Sequence, residues 1–159
     1  MFKYKEKNKG FSLIGVMVTL FIVAVGLTSI IALTSSALNS SNASKMRLIA
    51  SSLAQESIEI VRDIRRSNIE WDDWYSTISD GDYRVQYNNT SLLAFVDTPL
   101  MINANNYYQY DTGNNSAFSR KVTFTKLSAN ELKLSVEIKW KLKSQWSYLT
   151  VENRLWNWK

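Results

Sequence analysis

Between Lys9 and Lys45 the chain carries no charged side chain. No other feature restricts the possible folds as much. Within the gap, Phe11 to Leu33 is dominated by Phe, Leu, Ile, Val, Met and Ala, with a few Ser, Thr and Gly. About 20 such residues span a bilayer as a helix. Ser12, Thr19, Thr28 and Ser29 are tolerable in lipid because their hydroxyls can bond back to helix carbonyls. A buried core helix of a soluble domain rarely runs this long without a charge. A cleaved secretory signal needs only about 7–15 apolar residues before its small-residue site. Ser36-Ala37 offers such a site, but the run before it is too long and the pattern after it remains helical.

The segment before the gap is basic. Residues 1–10 hold Lys3, Lys5, Lys7 and Lys9 against Glu6, which leaves +2 of the chain's formal +5 for everything else. That is no footprint for nucleic acid, which requires Lys and Arg gathered on one face of a domain, so no specific nucleic acid is expected as a partner. A basic leader before an apolar helix instead fits retention on the cytoplasmic side. The chain has no Cys and no His. Disulfides, thiolate or imidazole metal sites, and Ser-His or Cys-His catalysis are thereby excluded. No cofactor is implied, and no catalytic constellation suggests an enzyme.

Residues 34–66 contain neither Pro nor Gly. Leu38, Met46, Ile49, Ala50, Leu53, Ile60 and Ile64 recur at helical spacing, and Ile58 and Val61 widen the stripe. Ser51, Ser52, Gln55, Glu56, Glu59, Arg62 and Arg65 fill the other side, which predicts an amphipathic helix with one face to bury. The apolar and amphipathic segments can form one rod from Phe11 to Arg66, about 84 Å long at 1.5 Å per residue. The Ser/Asn-rich junction "TSSALNSSNAS" (34–44) is expected to be locally weak helix.

After "SNIEWDDW" the period changes. Asp80-Gly81-Asp82 predicts a turn, and "YRVQY" (83–87) a strand. "LLAFV" (92–96) is a weaker strand, and residues 97–117, with the chain's only Pro, are expected to be loop. "FSRKVTFTKL" (118–127), "ELKLSVEIKWKL" (131–142) and "SYLTVENRLWNW" (147–158) are three clearer strands joined by the short links "SAN" and "KSQW". The middle one places Leu132, Leu134, Val136, Ile138, Trp140 and Leu142 on one face and Lys133, Ser135, Glu137, Lys139 and Lys141 on the other. Its apolar face and the helix stripe each need a cover, and covering each other is the economical solution. The expected class is therefore α+β: a long N-terminal helix packed on a C-terminal antiparallel sheet. The divisions are a leader (1–10), a transmembrane helix (11–33), an amphipathic extension (34–66) and a globular sheet domain (67–159).

The stretch "KGFSLIGVMVTLF" (9–21), in this layout, resembles the N-terminus of type IV pilin-like prepilins, of the minor pilin or pseudopilin kind. The stretch "SSLAQESIEIVRDIRRSN" and the aromatic-rich end "LWNWK" are similar to the same group. The resemblance implies that a prepilin peptidase cuts after Gly10 and that Phe11 becomes the methylated N-terminus. It implies assembly with other pilin-like subunits through the N-terminal helix, whose first turns hold Leu13, Ile14, Gly15, Val16 and Leu20. The subunit would wait in the membrane lipid, single-pass with its globular domain outside the cytoplasm, then enter a pilus or pseudopilus. One departure stands out. The family usually has Glu at the fifth mature position, and this chain has Gly15. That tilts the expectation from a major subunit toward a minor, priming or tip component. The alternative is a membrane-anchored binding domain that never polymerises.

Other sites are weaker. "DGD" (80–82) and "DTGNN" (111–115) hold oxygens of a calcium-binding kind but compose ordinary turns. Trp71, Trp74, Trp140, Trp146, Trp156 and Trp158 are expected mainly in a core or at an interface, with "WNWK" the candidate for an adhesive surface. Glu56 and Glu59 are expected on a solvated helix face.

Overall fold

The computed structural model describes residues 13–68 and 70–157. A boundary between Asn42 and Ala43 divides the chain into two compact units. The described part of the first is wholly helical, the opening of helix α1 (Leu13–Ser67). The junction residues 34–44 are helical without interruption, contrary to the expectation of a weak stretch. The absence of Pro and Gly there leaves nothing to break the i→i−4 ladder.

The second unit is α+β, as its alternating and helical periods require. The C-terminal part of α1 is followed by a short helix α2 (Trp71–Thr77) and eight strands: β1 (Gly81–Arg84), β2 (Leu93–Ala94), β3 (Met101–Ile102), β4 (Tyr108–Gln109), β5 (Asn114–Asn115), β6 (Phe118–Ser128), β7 (Glu131–Leu142) and β8 (Gln145–Trp156). All pairings are antiparallel. The main sheet has the order β2-β1-β6-β7-β8, and a small one the order β4-β3-β5. The β6–β7–β8 meander matches the sequence reading, with tighter turns at Ala129-Asn130 and Lys143-Ser144. Lys143 takes the left-handed turn conformation, φ 57°.

Strict alternation along β7 buries Leu132, Leu134, Val136, Ile138 and Trp140. Ala50, Leu53, Ala54, Ile58, Ile60, Val61 and Ile64 of α1 join them in one hydrophobic core, so stripe and sheet face do cover each other. Each fully buried Leu or Ile contributes about 1.5–3 kcal/mol relative to exposure. Leu38, included in the apolar periodicity, lies outside this core and is exposed.

Further differences from the sequence reading lie in the sheet region. "YRVQY" is a strand only as far as Arg84. Val85 turns its carbonyl to the side chain of Arg120, and Val85 and Gln86 are buried side by side, which alternation cannot produce. The expected loop 97–117 contains the small three-stranded sheet. Beside it, Leu100 N donates to Phe118 O of β6 and Leu100 O accepts from Ser116 N, both at 2.8 Å. Helix α2 was not expected at all. Trp71 and Trp74 anchor it in the core, Trp71 Nε1 donates to Ala129 O at 2.9 Å, and Arg65 lies over both indoles.

Candidate functional site: the N-terminal segment

Gly10 and Phe11, the residues expected to carry processing, lie outside the described residues, as does Ser12. The expected assembly residues Leu13, Ile14, Gly15, Val16 and Leu20 all lie in the first turns of α1. From Leu13 to Leu33 every large apolar side chain is exposed. An 18-residue window of this helix has mean hydropathy 2.6, and none of that window is buried within the chain. Length and composition suffice to cross a membrane.

The polar atoms in this stretch are satisfied locally. Thr19 donates to Gly15 O at 2.8 Å, Thr28 and Ser29 both donate to Val25 O at 2.9 Å, and Thr34 donates to Ile30 O at 2.9 Å. These hydroxyls do not need water, and the surface they leave is apolar all round. At Gly15 an added Cβ would meet nothing within 4 Å. The glycine is therefore not required by close approach of another part of the chain, and its effect is the removal of a side chain from an open surface.

The other candidates resolve as follows. Asp80 accepts from Lys126 N at 2.7 Å, Asp82 from the Thr123 hydroxyl at 2.6 Å, and Asp111 from Gln86 Nε2 at 2.7 Å. Asp80 ties the bend before β1 to β6; Gly81 and Asp82, expected in a turn, open β1 itself, where Asp82 bonds across to β6; Asp111 holds Gln86 just beyond the end of β1. Among the described residues no group of three or more acidic ligands gathers to hold a metal ion. Trp71, Trp74 and Trp140 are buried, Trp146 and Trp156 are exposed, and Trp158 lies outside the described residues.

Glu56 is not simply a solvated helix residue. Its carboxylate lies 3.5 Å from Nη1 of Arg120, whose side chain is buried on the inner face of β6. The sequence reading missed this arginine, although a signal existed. Arg120 is in phase with Phe118, Val122 and Phe124, all core residues. Around it, Gln86 accepts from Tyr110 N at 2.8 Å, and Tyr110 Oη donates to Arg120 O at 3.0 Å. Burial pushes the Tyr110 phenol above its ordinary range, opposed by the neighbouring Arg120 and Arg84 guanidinium groups. This polar knot is structural, and the exposed apolar helix remains the candidate for function.

Searches of curated proteins and of solved structures each returned no match. A family model, the prokaryotic N-terminal methylation motif, matches residues 5–31. The match brackets Gly10 and Phe11 and runs through the exposed apolar turns of α1. It points to a structural pilin subunit rather than an enzyme. Over residues 5–31, then, this chain bears the signature of a type IV prepilin.

Proposed function

We propose that the chain is a minor, priming or tip subunit of a type IV pilus or pseudopilus. A prepilin peptidase cuts after Gly10, and the new N-terminal residue, Phe11, is methylated. The retained helix holds the subunit in the cytoplasmic membrane, with the sheet domain outside the cytoplasm, until assembly. Residues 11–33 then leave lipid and pack against the helices of other pilin-like subunits, with Leu13, Ile14, Gly15, Val16 and Leu20 among the contacts. Residues 1–10 are the leader, 34–66 the amphipathic extension and 67–159 the globular domain. The reading is carried by one observation: the methylation motif coincides with a helix that is apolar and exposed on all sides.

The assignment to a minor or tip place rests on Gly15. A carboxylate at that position would be costly in hydrocarbon unless paired. In filaments of this family its partner is thought to be the methylated N-terminal ammonium of a neighbour. This subunit cannot donate that carboxylate, yet its own ammonium can receive one from a different pilin.

The decisive test is the mature N-terminus. The full chain is expressed in membranes with and without an active prepilin peptidase and read by intact and peptide mass spectrometry. N-methylated Phe11, seen only with the peptidase, is the expected result. Met1 retained under both conditions would leave a plain membrane-anchored domain, and a start near Asn39 would mean a secretory signal.

A further inference from the structure

The second unit carries its charge unevenly. The chain enters it at Ala43. No acidic side chain occurs between Gly10 and Gln55, or between Ile138 and Val151. The structure brings these two stretches together, because Ser44 and Arg47 of α1 line one groove with Leu142, Ser147 and Tyr148 of the β7–β8 hairpin. Lys45, Arg47, Lys141 and Lys143 are thereby gathered at this end. All four are exposed, and none has an ion-pair partner among the described residues. Lys139, further along β7, is by contrast held by Asp97 at 2.6 Å. Two amphipathic aromatics accompany the free cations. Trp146 and Tyr148 are 54% and 57% exposed, and the Lys141 ammonium lies 5.8 Å from the centre of the Trp146 ring. The acids of α1 begin only at Glu56, and the exposed Glu70, Asp72 and Asp73 follow its far end.

We infer that this end of the globular domain docks on anionic lipid headgroups while the subunit waits in the membrane. The inference rests on the anchoring of residues 11–33 set out above. Ten helical residues lead from Leu33 to Ala43, a rise of about 15 Å. Headgroups extend roughly 5–8 Å beyond the hydrocarbon, and surface charge acts over a further Debye length of about 8 Å. The cations that follow Ala43, and those of the hairpin beside them, therefore fall within reach of that field. Each basic residue near an anionic surface adds to the attraction. Tyr and Trp favour the same layer, where the ring sits among headgroups and its polar tip stays wet. A nucleic acid would use the same cations, but it gives no reason for their place beside the entry of the apolar helix. Docking would hold the domain against the bilayer until assembly lifts it away.

The test uses the full chain with ¹⁵N-labelled tryptophan in lipid nanodiscs. The discs are phosphatidylcholine alone, or phosphatidylcholine mixed equally with phosphatidylglycerol, each with a trace of lipid bearing a nitroxide headgroup. The Trp146 and Trp156 indole resonances are assigned with Trp146→Phe and Trp156→Phe, both at exposed positions. The two indoles stand at opposite ends of β8, about 34 Å apart along the strand. Trp146 should broaden more in the anionic discs and return to the neutral level with added salt, while Trp156 is the same in both. Lys141→Gln/Lys143→Gln should lower the ratio of docked to free domain at least about 10-fold. Equal broadening of Trp146 in the two lipids, or an unchanged response in that variant, overturns the proposal. So does a Trp146 shift with duplex DNA in neutral discs without any response to phosphatidylglycerol. Co-elution with the neutral discs reports separately on anchoring. A chain that does not co-elute overturns anchoring and docking together, whereas one that co-elutes without the lipid-dependent Trp146 response loses docking alone.

Discussion

Arg120 and Glu56 join the sheet to the helix by a single ion pair of 3.5 Å, with the guanidinium wholly buried and the carboxylate one-third exposed. The asymmetry decides what each mutation does. Glu56→Gln leaves a buried charge without its partner and is expected to cost about 2–3 kcal/mol. In an Arg120→Met background the same substitution should cost almost nothing. Chemical denaturation of the four proteins of this double-mutant cycle measures the coupling, and additive losses would contradict the pairing.

Tyr110 contributes to the alkaline pH dependence of the fold. Its phenol is held above its ordinary range by burial, so the folded state keeps the proton that the unfolded state gives up. That contribution is complete below about pH 10, the unfolded value, and is lost as pH rises through the folded one. Tyr110→Phe should therefore flatten the loss of thermal stability above pH 10 relative to the parent. It should also cost about 1 kcal/mol at neutral pH through loss of the bond to Arg120 O.

Gly113 and Gly81 both have positive φ, 139° and 147°, yet they should respond differently to alanine. At Gly113 the added Cβ would fall on the carbonyl of Ile102, 2.6 Å from its carbon, within the small sheet. At Gly81 it would meet nothing within 4 Å. Gly81→Ala is expected to cost about 1 kcal/mol from backbone strain alone, and Gly113→Ala at least about 2 kcal/mol more. Urea titrations of the two variants compare them directly.

Alternation along β7 predicts opposite outcomes for adjacent residues. Leu134→Ala empties a fully buried site and should cost about 2–5 kcal/mol. Lys133→Ala, on the outer face, loses only a 3.4 Å surface pair with Glu152 and should stay within about 1 kcal/mol. Comparable losses would mean that the register is wrong.

Gly15→Glu tests the place in the filament. Nothing in the chain opposes the side chain, so the melting of the globular domain should not change. Recovery of the variant in sheared filaments should rise above the parent's, because a carboxylate becomes available to a neighbour's ammonium. Unchanged or lower recovery would remove Gly15 as the reason for a minor role.

Much of this was legible because it rests on long periodic patterns. The charge gap and the stripe from Ala50 to Ile64 predicted the helix, and the alternation of Leu132 to Trp140 predicted the central strand. What escaped depends on contacts distant in sequence. Strands β3, β4 and β5 have two residues each, too few for a period to show, and exist through partners. Helix α2 has no side-chain cap at Glu70 and is held by Trp71 and Trp74 instead. Strand β1 ends early because Arg120 competes for the Val85 carbonyl, an event that no local pattern encodes. At the N-terminus the motif was readable in full, because processing signals are short and linear.

The pairing of the α1 stripe with β6, β7 and β8 also fixes an order in time. The chain emerges helix first, and the strands that shield Ala50, Leu53 and Val61 come much later. Contacts so distant in sequence form slowly. Through that delay the nascent segment exposes a greasy flank that invites aggregation. A chain of this design would benefit from being tethered early and kept from its sister copies until the final hairpin has closed.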